Sequence, residues 1–163
     1  MPIRLRPVVE SDMPLVLEGT RQLAAVEGRP DSVTATPEML WSLLTGPRPL
    51  GECVIIEEDA TPPVGVGHAW FYLHPSTFSG ESWLYLEDIC ILKAHRSRGL
   101  GRLAMAALAR VALERGCTGM HWSVVSGNAA AIRFYERLGA GPKTGIESYK
   151  LVDGALESLA AEA

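Results

Sequence analysis

Seven consecutive residues in the middle of the chain, Arg96-Ser97-Arg98-Gly99-Leu100-Gly101-Arg102, combine three guanidinium groups with two glycines. Such a run has a definite use where it opens a helix. The first amides of a helix have no intrahelical partner and carry partial positive charge, so they accept phosphate oxygens. Glycine removes the Cβ that would hold an anion off the main chain. Arginine adds charge for a diphosphate or a ribose phosphate. Two nucleotide motifs can be compared with this run. No G-x-x-x-x-G-K-[ST] loop occurs anywhere in the chain. Gly99 and Gly101 are followed by Ala104 at the third position of a dinucleotide fingerprint, but the acid expected about 20 residues on is missing from His121-Trp122-Ser123-Val124-Val125. The plain alternative is a solvated basic turn whose glycines only make a tight connection.

The elements that must position this turn can be read from periodicity. Ile3, Leu5 and Val8 alternate with arginines as a first strand, and Ser11 or Asp12 caps a helix that ends near Gly28. Thr36-Pro37-Glu38 opens a second helix that stops at Gly46-Pro47. Strands are expected over Glu52–Glu58, Val64–His74 and Trp83–Leu92, followed by a helix from Gly99 to Arg115. A strand from Met120 to Val125, a helix from Asn128 to Leu138, a short strand from Tyr149 to Val152 and a terminal helix from Ala155 complete the order. Antiparallel strands followed by β-α-β-α predict an α/β fold with a mixed sheet and helices on both sides. The glycine turn then falls between a strand and a helix, where a phosphate site is expected.

Totals narrow the class. A chain of 163 residues suits one domain over 1–163, large enough to bury a core without staples. The net charge of -4 argues against nucleic acid and anionic membranes as partners, which call for a basic face. Cys53, Cys90 and Cys117 are odd in number and widely spaced, so neither disulfides nor a zinc site is expected. His68, His74, His95 and His121 show no ligand spacing either, and no metal is expected. The first ten residues lack the apolar run of a signal peptide, and no stretch approaches the roughly 20 apolar residues of a membrane span. A cytoplasmic location is the expectation.

Two motifs together resemble a known family. Arg96-x-x-Gly99-x-Gly101 at a strand-to-helix turn is similar to the acetyl-CoA motif of the GNAT N-acetyltransferase superfamily, and Asn128 with Phe134-Tyr135-Glu136-Arg137-Leu138-Gly139-Ala140 is similar to the second half of that signature. Leu84-Tyr85-Leu86-Glu87-Asp88 and Leu23-Ala24-Ala25-Val26-Glu27 resemble the spermidine/spermine, or diamine, branch. The resemblance implies the GNAT fold: a central mixed sheet, antiparallel in its N-terminal half, with parallel splayed strands at the cofactor site. It also implies transfer of acetyl from acetyl-CoA to a primary amine and a homodimeric assembly.

The same resemblance implies roles residue by residue. Ile89, Cys90 and Ile91 offer main-chain contacts to the pantetheine arm. Ser97 to Arg102 hold the pyrophosphate, with Arg96 beside them, and Asn128 and Ala131 contact the pantetheine. Glu27, Glu87, Glu147 and His121-Trp122-Ser123 bind the acceptor. Glu87 is the candidate base, through water, because an ammonium must lose its proton before it attacks. Strand alternation turns its neighbour Asp88 to the opposite face. Tyr135 is the candidate acid, since a phenol keeps its proton at neutral pH and can pass it to a departing thiolate. Of Phe134 and Tyr135, one ring is expected in the core and one toward the cleft. Cys90 is read as inert packing and not as an acetyl carrier.

Ser97 stands where that family often has glycine, His95 where tyrosine is common, and Tyr149 where tryptophan is usual. With Glu27 alone at the first-helix site, a diamine, lysine-like amine or amino-sugar fits as well as a polyamine. Acetylation of a protein amine and a non-catalytic acetyl-CoA-binding module are the alternatives.

Overall fold

Five strands, β1 (Ile3–Pro7), β2 (Glu52–Glu58), β3 (Val64–Ser76), β4 (Glu81–Ile91) and β5 (Cys117–His121), form one sheet whose spatial order follows the chain. The structure is a computed structural model and describes residues 3–163. Neighbouring strands are antiparallel except β4 and β5. Those two run parallel because α3 (Leu100–Glu114) carries the chain back between them. The mixed sheet read from the sequence is thus present.

Helices lie on both faces. Directly paired residues share a face, so Cys53 with Trp70, and Ile55 with His68 and Cys90, form rows. These rows lie beneath α1 (Met13–Val26) and α2 (Pro37–Thr45), where Met13 and Val16 join them. Phe71, Leu84 and Leu86 pack on the other face against Met105, Leu108 and Ala112 of α3. Each large apolar side chain fully buried there contributes roughly 1.5–3 kcal/mol. Emptying the centre with Leu108→Ala would cost about 2–5 kcal/mol. α4 (Ala129–Glu136) packs on that same cluster through Phe134 and Tyr135.

Local signals explain the helix starts. Thr36 accepts the Met39 amide and Pro37 takes the first helical position of α2. Asn128 does the same for α4 by accepting the Ala131 amide.

Two expected boundaries are corrected. β5 lies at Cys117–His121 and not Met120–Val125: its ladder with β4 stops at Tyr85 and His121, so Trp122–Val125 has no strand to pair with. The strand expected at Tyr149–Val152 is not formed, since those residues are exposed and pair with nothing in the sheet. A helix, α5 (Asp153–Ala160), follows them, starting slightly before the expected terminal helix.

Candidate active site

The site originates in the sheet. β4 pairs with β5 only from Ser82 to Tyr85, while Leu86 to Ile91 remains bonded to β3 alone. The other edge of that half-strand faces a cleft of about 660 Å³. Around the cleft stand Leu23, Val26 and Glu27 at the end of α1, Trp122 to Val124 beyond β5, the glycine turn, and α4. One residue series from each half of the fold therefore meets in a single opening.

The glycine turn has an unusual backbone. A 3₁₀ turn at Lys93–His95 leads into Ser97 at φ 63° and Gly99 at φ 78°, both left-handed. Arg102 and Leu103 make the first bonds of α3, to the Gly99 carbonyl. The amides of Leu100 and Gly101 therefore precede the helical ladder and lie at the cleft. At Gly101 a Cβ would come to 3.4 Å from the Phe134 ring, an ordinary contact, so α3 and α4 meet here without requiring glycine.

The arginines of the turn separate into two groups. Arg96 lines the cleft but donates through Nε to the Ile91 carbonyl at 2.8 Å and through its second nitrogen to Gln22 Oε1 at 3.2 Å. Arg98 donates to Glu58 Oε2 at 2.8 Å and is not among the residues around the cleft. Arg102 does line the cleft and reaches across to the Arg137 carbonyl at 3.4 Å. Arg137, on the far wall, is a cation that sequence reasoning did not single out; its signal is a basic residue just past the helix that Asn128 opens.

The acidic wall corrects the reading of Asp88. β3 and β4 lose register between Trp70, opposite Asp88, and Phe71, opposite Leu86, so Glu87 is an extra residue in the ladder. Such a β-bulge interrupts strict alternation. Glu87 and Asp88 both border the cleft, together with Glu27. Burial, helped by the charges of Glu87 and Glu27, pushes the Asp88 carboxyl up to about 6. Glu27 is itself paired with Arg29.

Tyr135 stands opposite. Burial, with the charges of Asp88 and Glu27, raises its phenol above the usual range, so the proton is held firmly at neutral pH. Its ring lies 4.9 Å from that of Trp122 and 5.2 Å from that of Phe134. Both Phe134 and Tyr135 border the cleft while packing on the core, so the expected division of the two rings does not occur.

Ile89, Cys90, Ile91, Ser97, Asn128, Ala131, Trp122 and Ser123 also line the opening. Burial pushes the Cys90 thiol up, which keeps it protonated and un-nucleophilic. His121 and Glu147 are not brought to the cleft. The His121 ring packs on Trp83 and Tyr85 and meets His74 at 2.5 Å between Nε2 atoms. Glu147 accepts from the Tyr149 phenol at 3.0 Å in the exposed segment after α4. Among the described residues no cluster of three or more His, Cys, Asp or Glu is arranged for a metal ion, and no helix is long and apolar enough to cross a membrane.

Chemically, the arrangement joins backbone amides outside the helical ladder, an open strand edge, one carboxyl, Asp88, able to take a proton near neutral pH, and a phenol able to give one. That is the equipment of acyl transfer to an amine. Comparison with known proteins agrees. The profile of the acetyltransferase (GNAT) family matches residues 20–140. The chain is 31% identical over 152 residues to a thialysine N-epsilon-acetyltransferase of Bos taurus, covering 90% of this chain and 89% of that one. It is 33% identical over 141 residues to a human spermidine/spermine N(1)-acetyltransferase-like protein 1, covering 84% of this chain and 20% of that longer one. In structure it is similar to an integron cassette protein from the mobile metagenome of V. cholerae, with TM-score 0.76, 21% identity and 98% of each chain covered. The unpaired half of β4, the glycine turn and this match over most of the chain make the protein a member of the GNAT family of acetyltransferases.

Proposed function

We propose that this enzyme transfers acetyl directly from acetyl-CoA to the primary amine of a small basic acceptor: a polyamine, a diamine or a lysine-like amine. The observation that carries the reading is the convergence of the open β4 edge, the glycine turn, Glu87, Asp88 and Tyr135 on one cleft. The relatives named for thialysine and for spermidine/spermine support the acceptor class.

The residues present fit coenzyme A. Amides at Leu100 and Gly101, with Arg102 and Arg137, suit its phosphates. The open edge at Ile89, Cys90 and Ile91 suits an arm that hydrogen-bonds like a strand, and one of these amides polarises a carbonyl held beside it. The Asn128 side-chain oxygen accepts from the Ala131 amide, which leaves its NH₂ to donate to the same arm. Bound acetyl-CoA supplies the acetyl thioester. Glu27, Glu87 and Asp88 attract the acceptor's ammonium, and Glu87 takes the proton through water with Asp88 as its coupled neighbour. Tyr135 returns a proton to the departing sulfur.

The reading includes a cytoplasmic homodimer in which each chain, 1–163, is a single catalytic domain. The three cysteines are unpaired and buried, as a reducing compartment would keep them. Ile146, Tyr149, Leu151 and Val152 are exposed, and the outer edge of β5 is unpaired, which leaves apolar and strand surface for a second copy.

Tyr135→Phe tests the reading. Turnover is expected to fall at least about a hundredfold, the low end for a lost general acid, while acetyl-CoA binds as before. Unchanged turnover in a steady-state assay would remove Tyr135 from the acid role.

A further inference from the structure

We infer that Glu58, on β2 and outside the cleft, positions the phosphate-binding turn by holding Arg98; the inference rests on the cofactor reading above. Ser97 adopts φ 63°, a conformation disfavoured for any residue with a Cβ. It persists only where neighbouring contacts over-determine it. Those contacts come from two sides. Toward α1, Gln22 Oε1 accepts both the Lys93 amide at 2.8 Å and Arg96, while Arg96 also holds the Ile91 carbonyl. Toward β2, Glu58 Oε2 holds Arg98 at 2.8 Å, and His95 Nδ1 lies 3.9 Å from the same oxygen. Glu58 is only 8% exposed, so its carboxylate is a fixed anchor and not a mobile surface charge. Arg96 and Arg98, the two residues that flank Ser97, are thus each tied to a different part of the scaffold. The main function of Arg98 is to frame the turn, and the phosphates are left to the amides, Arg102 and Arg137.

Electrostatics alone makes the opposite demand. A carboxylate near an anion site repels the anion, so its removal should tighten binding. Positioning requires that its removal weaken binding. Calorimetric titration of the full chain with acetyl-CoA separates the two. Glu58→Gln is expected to weaken affinity about tenfold through lost preorganisation. The acetyl-CoA KM should rise with it while the acceptor KM and kcat stay near wild type. Ser97→Gly in the Glu58→Gln chain should recover most of the loss, because glycine holds φ 63° without a frame; a general folding defect would not be repaired there. Should Glu58→Gln fail to fold, Arg98→Gln takes its place, with the same loss and the same rescue expected. Affinity equal to or tighter than wild type in Glu58→Gln, or a loss that Ser97→Gly leaves untouched, overturns the inference. Wild-type protein that binds no acetyl-CoA overturns the cofactor reading and this inference together.

Discussion

At the scale of residues, the two adjacent carboxylates of β4 carry the pH behaviour. Asp88 is pushed up to about 6, by burial first and then by the charges of Glu87 and Glu27. A proton acceptor works only when ionised, so kcat/KM should rise with pH through about 6 and level off above it. Because the two acids interact, that ionisation belongs to the pair. Asp88→Asn removes the like charge beside Glu87, so the acid limb should move below 6. Glu87→Gln should move it the same way, by relieving Asp88, and lower the plateau further. A pH–rate profile checks both, and a limb that stays put in each variant would exclude the pair from proton transfer. The sequence named Glu87 but turned Asp88 away by strand alternation. A bulge arises from the register between two strands, here where Trp70 faces Asp88 and Phe71 faces Leu86, and a single strand's pattern carries no trace of it.

Among the elements, α1 and β3 approach closely because Gly19 leaves space for the His68 ring; a Cβ there would stand 2.5 Å from it. His68 is fully buried, neither ring nitrogen has a partner among the described residues, and burial lowers its pKa to about 4. The sign follows from linkage. The folded state prefers neutral His68, so this stability is whole above pH 6.5 and is lost as pH falls from there through about 4. The loss can reach about 3 kcal/mol. Denaturant unfolding from pH 7 to 4 should show it in wild type and much less in His68→Gln; equal pH dependence in both would contradict it. Most elements were legible in the sequence because their periodicity and caps are local, as at Thr36, Asn128 and Gly99. β5 was misplaced because the alternation Met120–Val125 looks like a strand, whereas strand length is set by where its partner β4 diverges. The cleft itself was foreseeable only through the two-part motif, since splaying of two strands leaves no periodic mark.

For the whole molecule, exposed apolar residues gather after α4: Ile146, Tyr149, Leu151, Val152, Leu156 and Leu159. The proposed homodimer gives them a place. Sedimentation equilibrium should report a dimer, and Leu151→Glu with Val152→Glu should shift it to monomer; a wild-type monomer at micromolar concentration would refute the assembly. The central claim is narrower than the assembly: the glycine turn holds acetyl-CoA so that an amine in the acidic cleft can take its acetyl group. Thiol release from acetyl-CoA, followed across diamines, polyamines and lysine analogues, tests it most directly when wild type is compared with Gly99→Val. Valine cannot readily adopt φ 78°, so it would strain the turn. Amine-dependent thiol release by wild type, lost in a Gly99→Val protein that still melts cooperatively, is the expected result. Release that no amine stimulates, or that persists undiminished in folded Gly99→Val, would contradict it.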